Sequence, residues 1–202
     1  MSKLVVISGP SGAGKGCVVK ELLNIYKEKK DKVHLSVSAT TRSPREGEVE
    51  GINYYFIKES DFLKKIKNKE FIEYNKYGTG KYYGTLKKHV LNYLNKGYDV
   101  ILEIDINGYK QVISNYKEAL GIFIMPPSLK ILEQRLRDRG TETEEQIKSR
   151  LKTADEEIKN KNIYPYIIIN EDGKVYDAAL KVYNLIKQWI KSLKRLFFLL
   201  FL

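Results

Sequence analysis

The sequence predicts an α/β fold, a parallel sheet with helices on both faces, and three observations predict it. A strand-length apolar run near the start leads into a glycine-rich loop and a segment of helical period. The same alternation of apolar run and helix returns later, and a β-rich stretch of different texture interrupts it. Leu4 to Ser8 is the first strand, and Val18, Val19, Leu22, Leu23 and Tyr26 recur at helical spacing after the loop. Residues 34–98 break the rhythm with short β-rich runs divided by Ser43-Pro44 and glycine turns, and read as a separate small lobe. Val100 to Ile104 is a buried strand with a helix expected from about Tyr109. Gly121 to Met125 is a strand with a helix beyond Pro126 and Pro127. Residues 137–159 form a third element. A polar, glycine-broken stretch ends in a capping box, Thr143 with Gln146, and Ile147, Leu151, Ala154 and Ile158 stripe the helix that follows. Tyr166 to Asn170 is the last strand. Val175, Ala179, Val182, Ile186, Trp189 and Ile190 make the terminal helix amphipathic, so that it packs on the sheet.

The chain has 202 residues, 43% hydrophobic and 30% charged, enough apolar material for a core with one or two appendages. With only 14 Gly and 5 Pro, collagen-like, mucin-like and disordered classes are excluded. A net charge of +11 invites polyanions, whether nucleotides, nucleic acid or an anionic membrane surface, and equally describes a lysine-coated solvated surface. The longest apolar run, Leu196 to Leu202, is far short of the roughly 18 residues a membrane-spanning helix needs. Leu4 to Ile7 is too short for a signal-peptide core. Cys17 is the sole cysteine, so no intrachain disulfide is expected, which fits a cytoplasmic location.

Gly9-Pro10-Ser11-Gly12-Ala13-Gly14-Lys15-Gly16 fits G-x-x-x-x-G-K between a strand and a helix. Glycines let consecutive backbone N–H groups and the helix N-terminus face phosphate oxygens, and Lys15 adds a point charge. The sheet is thereby expected to be of the P-loop NTPase type. Gly16 stands where many such loops carry a Ser or Thr that holds Mg²⁺, so a metal must be held by phosphates, water and carboxylates elsewhere. Glu103 and Asp105 end the second buried strand at i, i+2, on one face and at the ligand-binding end of a parallel sheet. They read either as a solvated pair or as groups that reach a metal through water.

A resemblance becomes specific in Ser38-Ala-Thr-Thr-Arg42-Ser-Pro-Arg45-Glu-Gly-Glu48, Asn53-Tyr54, Glu70-Phe-Ile-Glu73 and Tyr82-Tyr83-Gly84-Thr85. It continues in Leu102-Glu-Ile-Asp105-Ile-Asn-Gly108, in Arg135-Leu-Arg-Asp-Arg139-Gly-Thr-Glu-Thr and in Ile169-Asn170. The chain resembles guanylate kinases from about residue 3 to 190. The resemblance implies phosphoryl transfer from ATP to GMP, with dGMP as a further acceptor and Mg²⁺ as the accompanying ion. It implies a core of residues 1–33, 99–136 and 160–193, a GMP-binding lobe at 34–98, a helical lid at 137–159 and an apolar tail at 194–202. By the same resemblance Glu73 takes the donor edge of guanine, with Ser38 and Thr85 beside it. The GMP phosphate falls to Arg42, Arg45, Tyr54 and Tyr83, and Glu48, Glu103 and Asp105 complete the GMP side. Gly9 through Cys17, Arg135, Arg139 and Asn170 are assigned to ATP. Lys15, Arg42, Arg135, Arg139 and Arg150 are the catalytic cations.

A carboxylate suits guanine, whose N1–H and N2–H₂ are both donors, and guanidinium forks suit phosphate. Arg135 and Arg139 are four apart and share a helix face. Related loops often carry Thr or Ser where Cys17 stands, and the thiol reads either as a small packing residue or as a reactive group. His34 and His89 read as ordinary polar residues. The tail, Lys194 to Leu202, reads as core cover, a dimer contact or a weak membrane anchor. Competing functions are an inactive guanylate-kinase-like phosphopeptide-binding module, a kinase for another nucleoside monophosphate, and nucleic-acid binding. An intact Lys15 opposes the first, the set Ser38, Glu73 and Thr85 opposes the second, and no recognition motif supports the third. ATP and GMP are the expected partners of a monomer or homodimer.

Overall fold

In chain order the elements are β1 (Leu4–Ser8), α1 (Lys15–Glu28), β2 (Val33–Leu35), β3 (Ser38–Thr40), β4 (Tyr55–Phe56), α2 (Glu59–Lys67), β5 (Phe71–Lys76), β6 (Tyr82–Leu86), α3 (Lys87–Asn95), β7 (Asp99–Glu103), α4 (Ile106–Asn115), β8 (Leu120–Met125), α5 (Leu129–Asp138), α6 (Glu144–Lys159), a 3-10 turn (Lys161–Ile163), β9 (Tyr166–Ile169) and α7 (Val175–Leu200). The structure, a computed structural model, describes residues 2–78, 80–138, 140 and 142–200, of which 190–200 are described as backbone only. Five strands form a parallel sheet in the order β2-β7-β1-β8-β9. The central β1 is buried at every residue, the signature of a strand covered on both faces.

Alternation along β1 divides the core. Val5 and Ile7 join Ile101, Ile122 and Ile124 under α1 and α7, while Leu4 and Val6 join Val100, Leu102 and Phe123 on the opposite face. Val18, Val19, Leu22, Ile25 and Tyr26 of α1 are buried with Ala178, Ala179, Val182 and Ile186 of α7. Each fully buried side chain of the Val, Leu or Ile class contributes about 1.5–3 kcal/mol. Leu23, expected in the α1 stripe, is only partly buried and packs at the edge of the same cluster, and Ile25 is buried within it. Buried Asp99 ties this layer together by accepting from the Lys3 N–H (2.9 Å), the Tyr26 hydroxyl (2.8 Å) and Lys187 Nζ (3.1 Å).

The second sheet, β4-β3-β6-β5, is mixed: β3 and β4 are parallel and the other pairs antiparallel. Phe62 of α2 is fully buried against the rings of Phe71 and Tyr82. The segment 34–98 is not a single unit. Val33 to Leu35 pairs with β7 in the parallel sheet, and α3 packs Val90, Tyr93 and Leu94 into the core cluster of Leu4 and Val100.

Two starts differ from expectation or match it for local reasons. α4 begins at Ile106 rather than near Tyr109, because Asp105 caps it by accepting the Gly108 N–H at 2.8 Å. α6 begins at the expected capping box, in which Gln146 Oε1 accepts the Thr143 N–H at 2.9 Å. Ile147 and Ala154 of α6 are buried against Leu132 and Leu136 of α5, with Leu151 beside them, whereas Ile158 packs on the sheet. Among the described residues no helix is long and apolar enough to cross a membrane. The expected roles of the 194–202 tail rest on side chains outside the described residues.

Candidate active site

The registers that order the parallel sheet also gather its chemistry. Ile7 pairs with Glu103 and Ser8 with Phe123, so the carboxyl ends of β1, β7 and β8 open onto one edge, where the loop after β1 begins. The loop lies hard against β8. Gly9 has a φ of +142°, and a Cβ there would stand 2.1 Å from the Ile124 carbonyl oxygen, so only glycine fits. Lys15 Nζ donates to the carbonyls of Gly9 (2.6 Å) and Pro10 (3.1 Å) and faces the cleft. Cys17 is exposed, which corrects the packing reading.

Asn170, at the end of β9, donates from Nδ2 to the Ala13 carbonyl at 2.9 Å. The residue is 2% exposed, and its Oδ1 is buried without a protein partner among the described residues. Arg135 leans on the same wall. It is ion-paired with Asp172 and donates to the Asn170 carbonyl (2.9 Å) and, at 3.4 Å, to that of Ala13. From α6, Arg150 donates to the Ser11 hydroxyl and pairs with Glu142 at 3.0 Å. Both arginines thus reach the phosphate-type loop from the side of α5 and α6. Arg139 lies outside the described residues. Arg137, two residues before it, faces elsewhere and joins Glu133 to Glu144.

Across the cleft, the mixed sheet sets three side chains in one row, since Ser38 pairs with Thr85 and Thr85 with Glu73. Thr85 Oγ1 donates to Glu73 Oε1 at 2.7 Å, and the Ser38 and Thr85 hydroxyls are 3.4 Å apart. A register shift between Phe71 and Glu73 turns the glutamate toward the row. Glu73 is 5% exposed, and burial pushes its carboxyl up to about 7 against the Thr85 hydrogen bond, with the Asp105 charge adding to the rise.

The adjacent row carries Tyr83, whose hydroxyl accepts from Arg42 Nε at 3.2 Å. Arg42 also forks onto Glu48 (2.7 and 2.8 Å) and lies 5.2 Å from the centre of the Tyr54 ring. Glu48 accepts the Arg45 N–H at 2.7 Å. The Arg42 fork, with that N–H, holds the Glu48 carboxyl down at about 2. The Arg45 residue itself is exposed at the rim.

Glu103 and Asp105 have different environments. Asp105 accepts three hydrogen bonds: Oδ1 from the Gly108 N–H, and Oδ2 from Asn75 Nδ2 (2.9 Å) and the Tyr77 hydroxyl (2.8 Å). Glu103 opens into solvent at the cleft, yet the enclosing walls hold its carboxyl above the usual range, with Lys15 pulling it back. Glu157 of α6 was not anticipated. It lines the same cleft, where burial pushes its carboxyl up to about 7, opposed by Lys15 and reinforced by Asp105. In sequence it reads as part of a solvated helix face, and only its position opposite Lys15 distinguishes it. Gln111 of α4, which bonds the β5 main chain, carries no sequence signal either, and Gly108, part of a motif in the sequence, lies against Glu73.

One cavity of about 490 Å³ is lined by Lys15, Ser11 and Arg150 from the side of the loop and α6 and by Ser38, Glu73 and Tyr83 from the mixed sheet, whereas Thr85, Arg42, Glu48, Arg135 and Asn170 stand outside its lining. The cavity therefore offers a cationic phosphate cradle facing a pocket built of hydroxyls and one buried carboxyl.

Comparison with known proteins gives a consistent result. The family model described as guanylate kinase matches residues 1–188. A guanylate kinase of Clostridium tetani is 51% identical over 183 residues, covering 91% of this chain and 84% of the relative. One from Prochlorococcus marinus subsp. pastoris is 45% identical over 187 residues, covering 93% and 98%. Among solved structures, a guanylate kinase from Anaplasma phagocytophilum superposes with a TM-score of 0.72 at 31% identity, covering 93% of this chain and 85% of the other.

Proposed function

Because the chain belongs to the guanylate kinase family and transfers a phosphoryl group from ATP to GMP, we propose that the cleft between its two sheets is where the two nucleotides meet. The observation that carries this reading is the cross-strand row Ser38–Thr85–Glu73, whose Ser38 and Glu73 line the same cavity as Lys15. Residues 34–98 supply the GMP side through β3 to β6, and 137–159 act as a lid hinged near α5.

Guanine presents N1–H and N2–H₂ to the Glu73 carboxylate and O6 to hydroxyls, while Arg42, Arg45, Tyr54 and Tyr83 take the phosphate. Glu48, which forks onto Arg42, orients that guanidinium for the phosphate. On the other side the loop Gly9 to Cys17 cradles the ATP phosphates, and the buried, unpaired Asn170 Oδ1 suits an amine donor on adenine. No protein nucleophile is needed, since an oxygen of the GMP phosphate attacks the γ-phosphorus directly. Rate comes from alignment and from cations that stabilise charge on the transferring oxygens: Lys15, Arg135, Arg139 and Arg150. Lid closure excludes water that would otherwise hydrolyse ATP.

The residues fit Mg²⁺ as an ion held by the nucleotide phosphates and reached through water. Gly16 has open space and no hydroxyl, both Asp105 oxygens are occupied, and Glu103 remains directed into the cleft. Among the described residues no three His, Cys, Asp or Glu side chains gather as a direct metal set. When bound, the ion neutralises phosphate charge. The unpaired thiol suits a cytoplasmic setting, and ATP and GMP, rather than nucleic acid, are the partners we assign to a monomer or homodimer.

Titration tests the guanine-reading role. The Glu73 carboxyl must be ionised to accept two guanine donors, and in the free protein it ionises near pH 7. Its folded value lies above the ordinary 4.5, so it favours the free fold at low pH and that contribution is lost as pH rises through about 7. Binding has the opposite sign: the KM for GMP rises as pH falls below 7, approaching about tenfold per pH unit. Phosphate monoesters ionise near pH 6 and add their own slope, which Glu73→Gln retains while losing the component near 7. Identical KM–pH profiles for wild type and Glu73→Gln would remove Glu73 from base recognition.

A further inference from the structure

The buried carboxyl of Glu73 sits on an edge strand, since β5 ends the order β4-β3-β6-β5. An edge strand with a bulge has neighbours on one side only, and the angle of its side chains is then open to drift. Here α4 of the nucleotide-binding core supplies the other side. Gln111 forms two hydrogen bonds with the main chain of Tyr74, the residue after Glu73: its Oε1 accepts the Tyr74 N–H at 3.1 Å and its Nε2 donates to the Tyr74 carbonyl at 2.8 Å. The side-chain amide thus imitates one residue of a neighbouring strand. One turn earlier, the Gly108 Cα lies under Glu73 so closely that a Cβ would stand 2.9 Å from Oε2. One further turn back, Asp105 holds Asn75 and Tyr77. Asp105, Gly108 and Gln111 are spaced i, i+3, i+6 and lie along one face of the helix.

We infer that Gln111 is a positioning residue for guanine recognition: by clamping the Tyr74 peptide it fixes the angle at which Glu73 meets the N1–H and N2–H₂ edge. This rests on the assignment of Glu73 to guanine. Gln111 touches no nucleotide in this account and acts only through Glu73. Because α4 begins at the same strand end that carries Glu103, the clamp also registers the GMP side against the ATP side. A carboxylate that is displaced or rotated loses the pair of parallel hydrogen bonds before it loses burial. The 2-amino group of guanine is then the contact that suffers.

The test compares GMP with IMP, which lacks only that 2-amino group, in wild type, Gln111→Leu, Gly108→Ala and Glu73→Gln. Gln111→Leu keeps the volume and removes both hydrogen bonds. It is expected to lower the GMP-to-IMP ratio of kcat/KM by about tenfold, through a raised KM for GMP, with KM for ATP unchanged. Gly108→Ala leaves Gln111 intact, displaces Glu73 directly, and is expected to lower the same ratio. If Gln111→Leu fails to fold, Gly108→Ala with an unchanged ratio overturns the positioning account by itself. Equal rises in KM for GMP and IMP in a folded Gln111→Leu would reduce the clamp to lobe docking and also overturn it. Glu73→Gln separates the two readings: if it lowers the ratio and Gln111→Leu does not, only the clamp fails. If Glu73→Gln leaves the ratio unchanged, the assignment of Glu73 to guanine fails.

Discussion

Lys15→Ala lowers kcat by about 10³-fold while the KM for GMP stays close to that of the wild type, the loss typical of removing one preorganised charge that stabilises a transition state. The ammonium sits at the loop end of the cleft, within hydrogen-bonding distance of the Gly9 and Pro10 carbonyls, and the GMP-side row lies across the cavity. Removing it deletes charge where the transferring oxygens develop it and leaves base recognition untouched. The carbonyl contacts to Gly9 and Pro10 are worth about 0.5–1.5 kcal/mol each, so their loss lowers the melting temperature by about 2–12 °C and leaves the protein folded at assay temperature. Steady-state kinetics with a melting curve checks both halves. A folded Lys15→Ala protein with near-normal kcat would remove the loop lysine from the chemistry.

The second large effect is on base choice. Raising a carboxyl from 4.5 to about 7 corresponds to about 3 kcal/mol, which the guanine donors must offset when they bind the ionised Glu73. AMP offers an acceptor at N1 and no 2-amino donor, so it leaves the buried carboxylate with the Thr85 hydroxyl but neither base donor. Sites built this way discriminate by about 10⁴–10⁵. Glu73→Gln replaces one acceptor oxygen with a donor that meets N–H on guanine. We therefore expect the KM for GMP to rise about 10²-fold and the preference for GMP over AMP to shrink by a similar factor, with kcat less affected. Competition assays between GMP and AMP read this directly, and unchanged discrimination would contradict it.

The parallel layer was legible in the sequence because its strands are short apolar runs, each followed by a helix-period stripe, and Val175, Ala179, Val182, Ile186 and Trp189 of α7 do pack on the sheet, while the Ile190 side chain lies outside the described residues. The division of 34–98 was not legible. Val90, Tyr93 and Leu94 make a stripe that would serve either layer, and only the tertiary packing sends it to the core. The start of α4 was misplaced for a related reason. An acid at a strand end reads equally as a ligand-facing group or as a cap, and Asp105 caps α4 while it also lines the cleft.

For the site, Gly9 to Lys15 carried its own physical meaning, since spacing and context alone point to phosphate. Ser38, Glu73 and Thr85 did not. They lie far apart in the chain, and the resemblance joined them before register showed them to be one row. Arg135 could not be told from Arg137 by residue type. Arg137 meets Glu133 and Glu144 on its own face, while Arg135 turns to Asn170 and Ala13. Gln111 and Glu157 had no local signal, because an amide and an acid on amphipathic helices look like solvated faces until the opposing strand or lysine is known.

The most direct test of the central claim, one guanine-reading site coupled to one phosphate cradle, is ADP release with Mg-ATP and each of GMP, dGMP, AMP, CMP and UMP, with Lys15→Ala as control. The account predicts turnover confined to the guanine nucleotides and lost in the Lys15→Ala protein. Turnover with AMP or a pyrimidine nucleotide at a comparable rate, or activity that survives Lys15→Ala, would contradict it.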